Sequence, residues 1–360
     1  MSTHSALVGI PDAVHALVPE LGRLPLPGES LADCNACSMA PAQVGTAAAH
    51  RAFQPEARCC TYHPTIINFA VGHGLVEGGT AARLFRERLR RRAGVSALGI
   101  RAWDAFRQRY ADRVHTGGFG RDLALRCPYW RGGELACGVW THRNPVCRTW
   151  HCRHEQGPRG RDLWVALRDT LRRAEFLLAE ELIRRGRPPS AEAGERRWVA
   201  WYQWCARKVD SLDPDTLGTL GADDELVHHR AMLRARERIR PLPLPDKVGP
   251  SVQDVEKTPD GARLTGYSFY DWHDAPPWIF PFLSKLDGET PWRDARDATE
   301  TELGTTIENA AIAELWRVGV IAERSGKEEK KPGVSARVRH SDGRTWTMSA
   351  KDLGVNPVLD

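Results

Sequence analysis

Apolar side chains recur at helical spacing in four stretches of the first 210 residues, and the pattern changes to alternation and short blocks beyond a proline-rich run at 241–245. Over residues 78–92, Ala82, Phe85 and Leu89 lie three or four apart on an arginine-rich background, which predicts an amphipathic helix. Trp103, Phe106 and Tyr110 carry the same period and predict a second helix over 97–114, ended by the cluster Gly117-Gly118-Phe119-Gly120. Leu163, Val165, Leu167, Leu171, Phe176, Leu177, Leu178 and Leu182 predict a long helix over 161–185, closed by Gly186 and Pro188-Pro189. A further helix over 191–209 places Trp198, Trp201, Tyr202 and Cys205 on or near one face, with Cys205 read as a small buried apolar side chain.

The run Pro241-Leu242-Pro243-Leu244-Pro245 is stiff and extended, and makes the clearest domain boundary. Past it, 262–270 alternates like a strand, and helices are expected over 278–286, 291–299 and 307–318. Residues 336–340 and 345–349 flank Ser341-Asp342-Gly343-Arg344 as a hairpin would. The expected chain is therefore mainly α, with a small α+β, winged-helix-like C-terminal domain. Its parts are a cysteine-cluster domain over 1–158, a helical region over 159–240 that packs on it, and the C-terminal domain over 241–360.

Cysteine changes this picture most. Eight of the nine fall into one array, Cys34, Cys37, Cys59, Cys60, Cys127, Cys137, Cys147 and Cys152. A C-x-x-C turn lets two sulfurs converge on one point, and tetrahedral zinc wants four such ligands. Iron-sulfur clusters use four cysteines each with freer spacing. The array therefore predicts bound zinc or iron-sulfur centres. A disulfide framework would suit a small secreted domain without an adequate core. This chain has 360 residues, and its first segment lacks a charged stretch followed by an unbroken apolar run, so a signal peptide is not expected. No stretch reaches the roughly 18 apolar residues of a membrane span, and the expected location is the cytoplasm, with thiols reduced. A thioredoxin-like dithiol at Cys34 and Cys37 would need a strand before it, and the Pro- and Gly-rich approach offers none.

The surroundings of the later cysteines fit a polythiolate site. Arg126, Arg131, Arg143, Arg148 and Arg153 accompany them, and guanidinium groups offset thiolate charge and donate to sulfur. Trp130, Trp140 and Trp150 recur at a spacing of ten, either as core side chains or as shields that keep water from a metal. His63, His151 and His154 are further candidates as ligands or proton carriers, beside the alternatives of a supporting or surface role.

Over about residues 34–155 the layout resembles the YkgJ-type cysteine-cluster family, regarded as zinc- or iron-chelating. The likeness rests on Cys137-Gly138-Val139-Trp140-Thr141-His142-Arg143-Asn144-Pro145-Val146-Cys147-Arg148-Thr149-Trp150-His151-Cys152, preceded by a C-x-x-C and a C-C. Two departures stand out: 21 residues separate Cys37 from Cys59, and Asn144 parts the arginine from the proline. The resemblance implies a chelating site built from the eight cysteines. Phe282-Leu283-Ser284-Lys285-Leu286-Asp287-Gly288-Glu289-Thr290, with Leu315-Trp316-Arg317-Val318-Gly319-Val320-Ile321, resembles PqqD-like peptide-recognition domains.

The net charge of +5, with 51 basic residues among 46 acidic ones, permits nucleic acid without implying it. The third C-terminal helix, with Glu302, Glu308 and Glu314 against Arg317, has the wrong sign for phosphate, so a protein or peptide partner is expected there instead. Arg83, Arg86, Arg88, Arg90, Arg91 and Arg92 form either a solvated helix face or a dock for RNA or an acidic partner. No phosphate loop, ordered Ser-His-Asp set or spaced carboxylate pair is evident, so catalysis is undecided. The leading expectation is a cytoplasmic metal-binding protein with a C-terminal partner-binding module and no membrane attachment. The alternatives are an iron-dependent peptide- or protein-modifying oxidoreductase and a metal- or redox-sensing transcriptional regulator.

Overall fold

The computed structural model of the chain describes residues 6–29, 36–113, 117–131, 137–236, 243–323, 335–339 and 345–349, the last two as backbone alone. Helix accounts for 53% of the chain against 11% strand, so the protein is mainly α. It divides into two compact units: 1–28, 33–150 and 162–238 form the first, and 29–32, 151–161 and 239–360 form the second.

In the first unit, the short helices α1 (Asp12–Leu17) and α2 (Pro41–Val44) precede strand β1 (Ile66–Ile67). Helices α3 (Asn68–Glu77) and α4 (Gly79–Arg90) follow, then strands β2 (Val95–Ser96) and β3 (Gly99–Ile100) and helix α5 (Asp104–Arg113). The one-turn helix α6 (Pro145–Thr149) leads to the long α7 (Gly157–Arg185), of which residues 162–185 belong here, and to α8 (Glu195–Val209), α9 (Pro214–Gly221) and α10 (Asp224–Arg236). Phe69, Val71, Phe85, Leu89, Leu167, Leu171, Leu178, Tyr202 and Cys205 are buried, so the faces that periodicity marks on α4, α7 and α8 do meet in a core. Helix α3, which the pattern did not single out, lies against α8. A Cβ at Gly72 would sit 1.9 Å from the Tyr202 carbonyl oxygen, so the two backbones approach closer than any side chain allows.

One predicted helix begins late. Residues 95–100 form a hairpin, with β3 paired antiparallel to both β1 and β2, and helix starts only at Asp104. Side chains from α3 and α8 hold the hairpin open. The Tyr202 hydroxyl donates to the Ser96 and Gly99 carbonyls, while Trp201 Nε1 and Asn68 Nδ2 donate to Ala97 O. Those carbonyls would otherwise seek helical partners, so tertiary hydrogen bonds override a local apolar period.

The second unit contains strands β4 (Gly249–Pro250), β5 (Asp254–Thr258), β6 (Gly261–Ser268) and β7 (Asp271–Ala275). Helices α11 (Ile279–Lys285), α12 (Trp292–Leu303) and α13 (Asn309–Arg317) follow, then β8 (Ile321–Ala322), β9 (Ser335–Arg339) and β10 (Thr345–Ser349). The main sheet has the order β10-β9-β5-β6-β7, antiparallel except between β5 and β9, while β4 pairs with β8. The expected terminal pair is present as β9 and β10, with Thr345 opposite Arg339, but the turn at 341–344 lies outside the described residues. Seven consecutive residues of β6 are buried, as in a strand covered on both faces. Val255, Leu264, Ile279, Phe282, Trp292, Ile312, Leu315 and Ile321 share its core.

A buried polar network ties this unit together. Asp271, fully buried, accepts from the Tyr267 hydroxyl at 2.5 Å and from both Arg317 terminal nitrogens at 3.0 and 3.1 Å. Arg317 also donates to the His154 carbonyl, and His154 Nδ1 lies 3.2 Å from the Tyr267 hydroxyl. Burial lowers the His154 pKa to about 4, leaving a neutral ring. Among the described residues, no helix is long and apolar enough to cross a membrane.

Candidate metal centre

Cys59 and Cys60 lie in a run of turns that follows Gln54. The Cys60 carbonyl accepts the Cys127 N–H at 2.7 Å, and the Thr61 hydroxyl accepts Gly120 N–H at 2.6 Å. Two stretches about sixty residues apart are thereby stitched together by one backbone and one side-chain hydrogen bond. Upstream, Ala40 N–H donates to Cys37 O, and Phe53 N–H to Met39 O.

Cys127 opens a turn closed by Trp130 N–H on its carbonyl, and Gly138 N–H then bonds Tyr129 O, so that Trp130 and Cys137 pair as an isolated bridge. The next turn presents Cys147 from the first turn of α6, where Pro145 fits the initial position and the Asn144 side chain accepts Cys147 N–H at 3.0 Å. Asn144, the residue that departs from the family pattern, is thus the helix cap.

Cys127, Cys137 and Cys147 come within electrostatic reach of one another. Burial pushes the Cys127 thiol well above its ordinary range, and the charges of Cys147 and Cys137 push the same way. The backbone N–H groups of Tyr129 and Trp130 are directed at its sulfur and oppose this by favouring the thiolate. Cys147 is pushed up to about 12 by burial and by Cys137, against the pull of Arg143 and Arg148. No disulfide joins one described cysteine to another.

Two of the five expected arginines therefore act on a sulfur. Arg143 lies 3.4 Å above the Trp140 ring and donates to the Trp140 and Cys147 carbonyls. Arg148 is buried and donates to Arg143 O at 2.6 Å, Thr141 O at 2.8 Å and Val8 O. Arg131 bonds Thr80, and Arg153 lies over Trp272 in the second unit. Arg88, read from the sequence as part of a solvated or partner-docking arginine face, is instead buried on the inner face of α4, under Trp103, and close enough to Cys127 to interact with its charge. Its position one residue before Leu89 on the apolar stripe was the available signal.

The indoles do not seal this region: Trp140 and Trp150 are 44% and 40% exposed. Tyr129, Val139 and Leu125, all nearly inaccessible, do so instead. His63 is buried among the rings of Trp103, Phe106 and Tyr129, and burial, then Arg88, lowers its pKa to about 4. The neutral ring donates through Nδ1 to Pro64 O at 2.9 Å, which leaves Nε2 a buried lone pair with no hydrogen-bond partner.

Cys34 lies outside the described residues, and Cys152 belongs to the second unit. Cys205, 0% exposed on α8, is a core side chain. As it stands, no group of three or more His, Cys, Asp or Glu side chains among the described residues is disposed to hold a metal ion. No family model, curated protein or solved structure matches the chain. The donor chemistry nevertheless suits a soft metal: three thiols within reach of one another's charge, backbone N–H groups directed at one sulfur, guanidinium groups beside another, and an orphaned His63 nitrogen on a ring packed against Tyr129.

Proposed function

We propose that the protein binds zinc or an iron-sulfur cluster through its cysteine array, with Cys127, Cys137 and Cys147 at the centre and Cys34, Cys37, Cys59 and Cys60 of the same unit completing the ligand sets. One observation carries this reading. Three thiols from separate turns, Cys127 buried and Cys137 and Cys147 half-buried, lie within reach of each other's charge without being oxidised to one another. Crowding potential thiolates is unfavourable unless positive charge is supplied among them. Bound metal supplies that charge and cross-links the turns. The chain's own part is to direct Tyr129 and Trp130 N–H groups at Cys127 and to place Arg143 and Arg148 beside Cys147. The likeness to YkgJ-type chelating domains supports the same reading from spacing.

The second unit reads as a winged-helix-like, PqqD-like module for a protein or peptide. Arg317, the single cation of α13, is committed to Asp271 and Glu314, so that helix offers phosphate nothing.

Anaerobic purification, an absorption spectrum and elemental analysis test the metal reading. Stoichiometric metal is expected in the full chain and in Cys205→Ser, with loss in Cys127→Ser, Cys137→Ser and Cys147→Ser. The reading is overturned if the triple serine variant keeps its metal, or if the wild-type chain takes up neither zinc nor reconstituted iron and sulfide.

A further inference from the structure

The end of α7 and one face of α8 enclose a cleft of about 440 Å³ lined by Arg185, Gly186, Arg187, Pro189, Arg197, Ala200, Trp201 and Trp204. Its floor is a pair of indoles. Trp201 is buried and pinned by its Nε1 bond to Ala97 O, and Trp204 stacks on it with centroids 5.2 Å apart and planes 17° from parallel. Trp204 is only partly covered. Gly186 keeps the floor in place, because a Cβ there would lie 2.4 Å from Trp201 Cζ3 and 2.7 Å from Trp204 Cζ3.

Charge distinguishes this cleft from an ordinary apolar groove. Three arginines line it and no acidic residue does. Arg185 is neutralised by Glu181 and Asp213, but Arg187 and Arg197 make no ion pair among the described residues. A rigid aromatic shelf flanked by unpaired guanidinium groups matches a planar base joined to a phosphate. Base–aromatic stacking tolerates any base, and arginine forks fit phosphate oxygens. The volume suits one such unit.

We propose that this cleft binds a nucleotide, the base stacked on Trp204 and the phosphate held by Arg187 and Arg197. A nucleotide can arrive free or within a single strand, and both present this chemistry. The site is separate from the thiol array and does not depend on metal.

Anisotropy of a fluorescein-labelled 12-mer of single-stranded RNA, and calorimetry with ATP and UMP, test it on the full chain. Binding of at least one probe at low salt is expected. Trp204→Ala should weaken it at least about fivefold, the low end of what one stacked base contributes, and Trp204→Phe should restore most of it. Arg187→Ala with Arg197→Ala should weaken binding and, for the 12-mer, flatten the salt dependence by about two phosphate contacts. Arg83→Ala, on the exposed face of α4, should change neither. Binding of ATP or UMP identifies a free nucleotide, and binding of the 12-mer alone identifies a strand. Because Trp204 also packs on Trp201, the surface arginine pair is the deciding variant wherever Trp204→Ala loses its native circular dichroism. The proposal fails if neither probe binds at 50 mM salt, if the arginine pair leaves binding unchanged, if Arg83→Ala abolishes it equally, or if the cleft takes a proline-rich decapeptide in place of nucleotides.

Discussion

At the scale of single residues, Arg148 is a buried and closely held cation of the first unit. Its guanidinium serves three carbonyls in different directions, those of Val8, Thr141 and Arg143, while buried Glu175 lies near enough to feel its charge. An ammonium cannot reproduce a planar fork, so Arg148→Lys should fail as a conservative change. Charged hydrogen bonds are worth about 1.5 to 3 kcal/mol each. Both Arg148→Lys and Arg148→Ala are therefore expected to destabilise by at least about 3 kcal/mol in urea titration. Glu175 supplies a pH signature. Burial, partly offset by Arg148, raises its carboxyl to about 7 from 4.5. The folded state thus holds a proton more tightly than the unfolded chain, and this site favours folding most below pH 4.5. That contribution declines as pH rises and is gone above about 7. The unfolding free energy of the wild type from urea titration should fall from pH 5 to pH 8 relative to Glu175→Gln, by an amount on the order of 3 kcal/mol. Equal pH dependence in the two proteins would show that Glu175 ionises freely. The sequence marks Arg148 as one of five arginines beside the later cysteines but not its three carbonyl partners, and Glu175 falls in a mixed helical run.

Between elements, the contact of α3 with α8 decides the architecture of the first unit. Gly72 meets a backbone carbonyl and Ala206, neither of which can rotate away. Gly72→Ala should therefore cost about 1 to 3 kcal/mol as overpacking, measured by thermal or urea unfolding, although alanine ordinarily favours helix. Stabilisation would mean the two helices are not packed this closely. The helices with clean periods, α4, α7 and α8, were readable because their own apolar stripes report the face they bury. Helix α3 was not readable, because Gly72 and Gly74 replace bulky side chains at its contacts. Residues 95–100 misled for the opposite reason: a helical period continued through a stretch whose carbonyls are claimed by Asn68, Trp201 and Tyr202.

For the whole molecule, each unit has its own buried core, and only the first contains the Cys127, Cys137 and Cys147 cluster. Structural zinc supplies roughly 10 to 16 kcal/mol of apparent binding energy at neutral pH, as much as a domain's whole stability of about 5 to 15 kcal/mol. Removing bound metal with a chelator is expected to lower the calorimetric transition of the first unit and leave that of the second, and re-addition should restore it. Unchanged transitions in a protein shown to have lost its metal would confine metal to a peripheral role. By itself the sequence determined that the chain is mainly helical, where three of its long helices lie, that the last hundred residues mix strand and helix, and that its chemistry is thiol-rich. Each of these follows from local period, local turn residues or composition. Tertiary structure alone decided that Cys127, Cys137 and Cys147 come within reach of one another's charge while Cys152 falls in the other unit, that Arg51, Arg88 and Arg148 are buried in the first unit, and that Trp201 and Trp204 form an open shelf. Such facts depend on which distant segments close on one another, and the free energy that selects those closures is summed over the entire core rather than written at any one position.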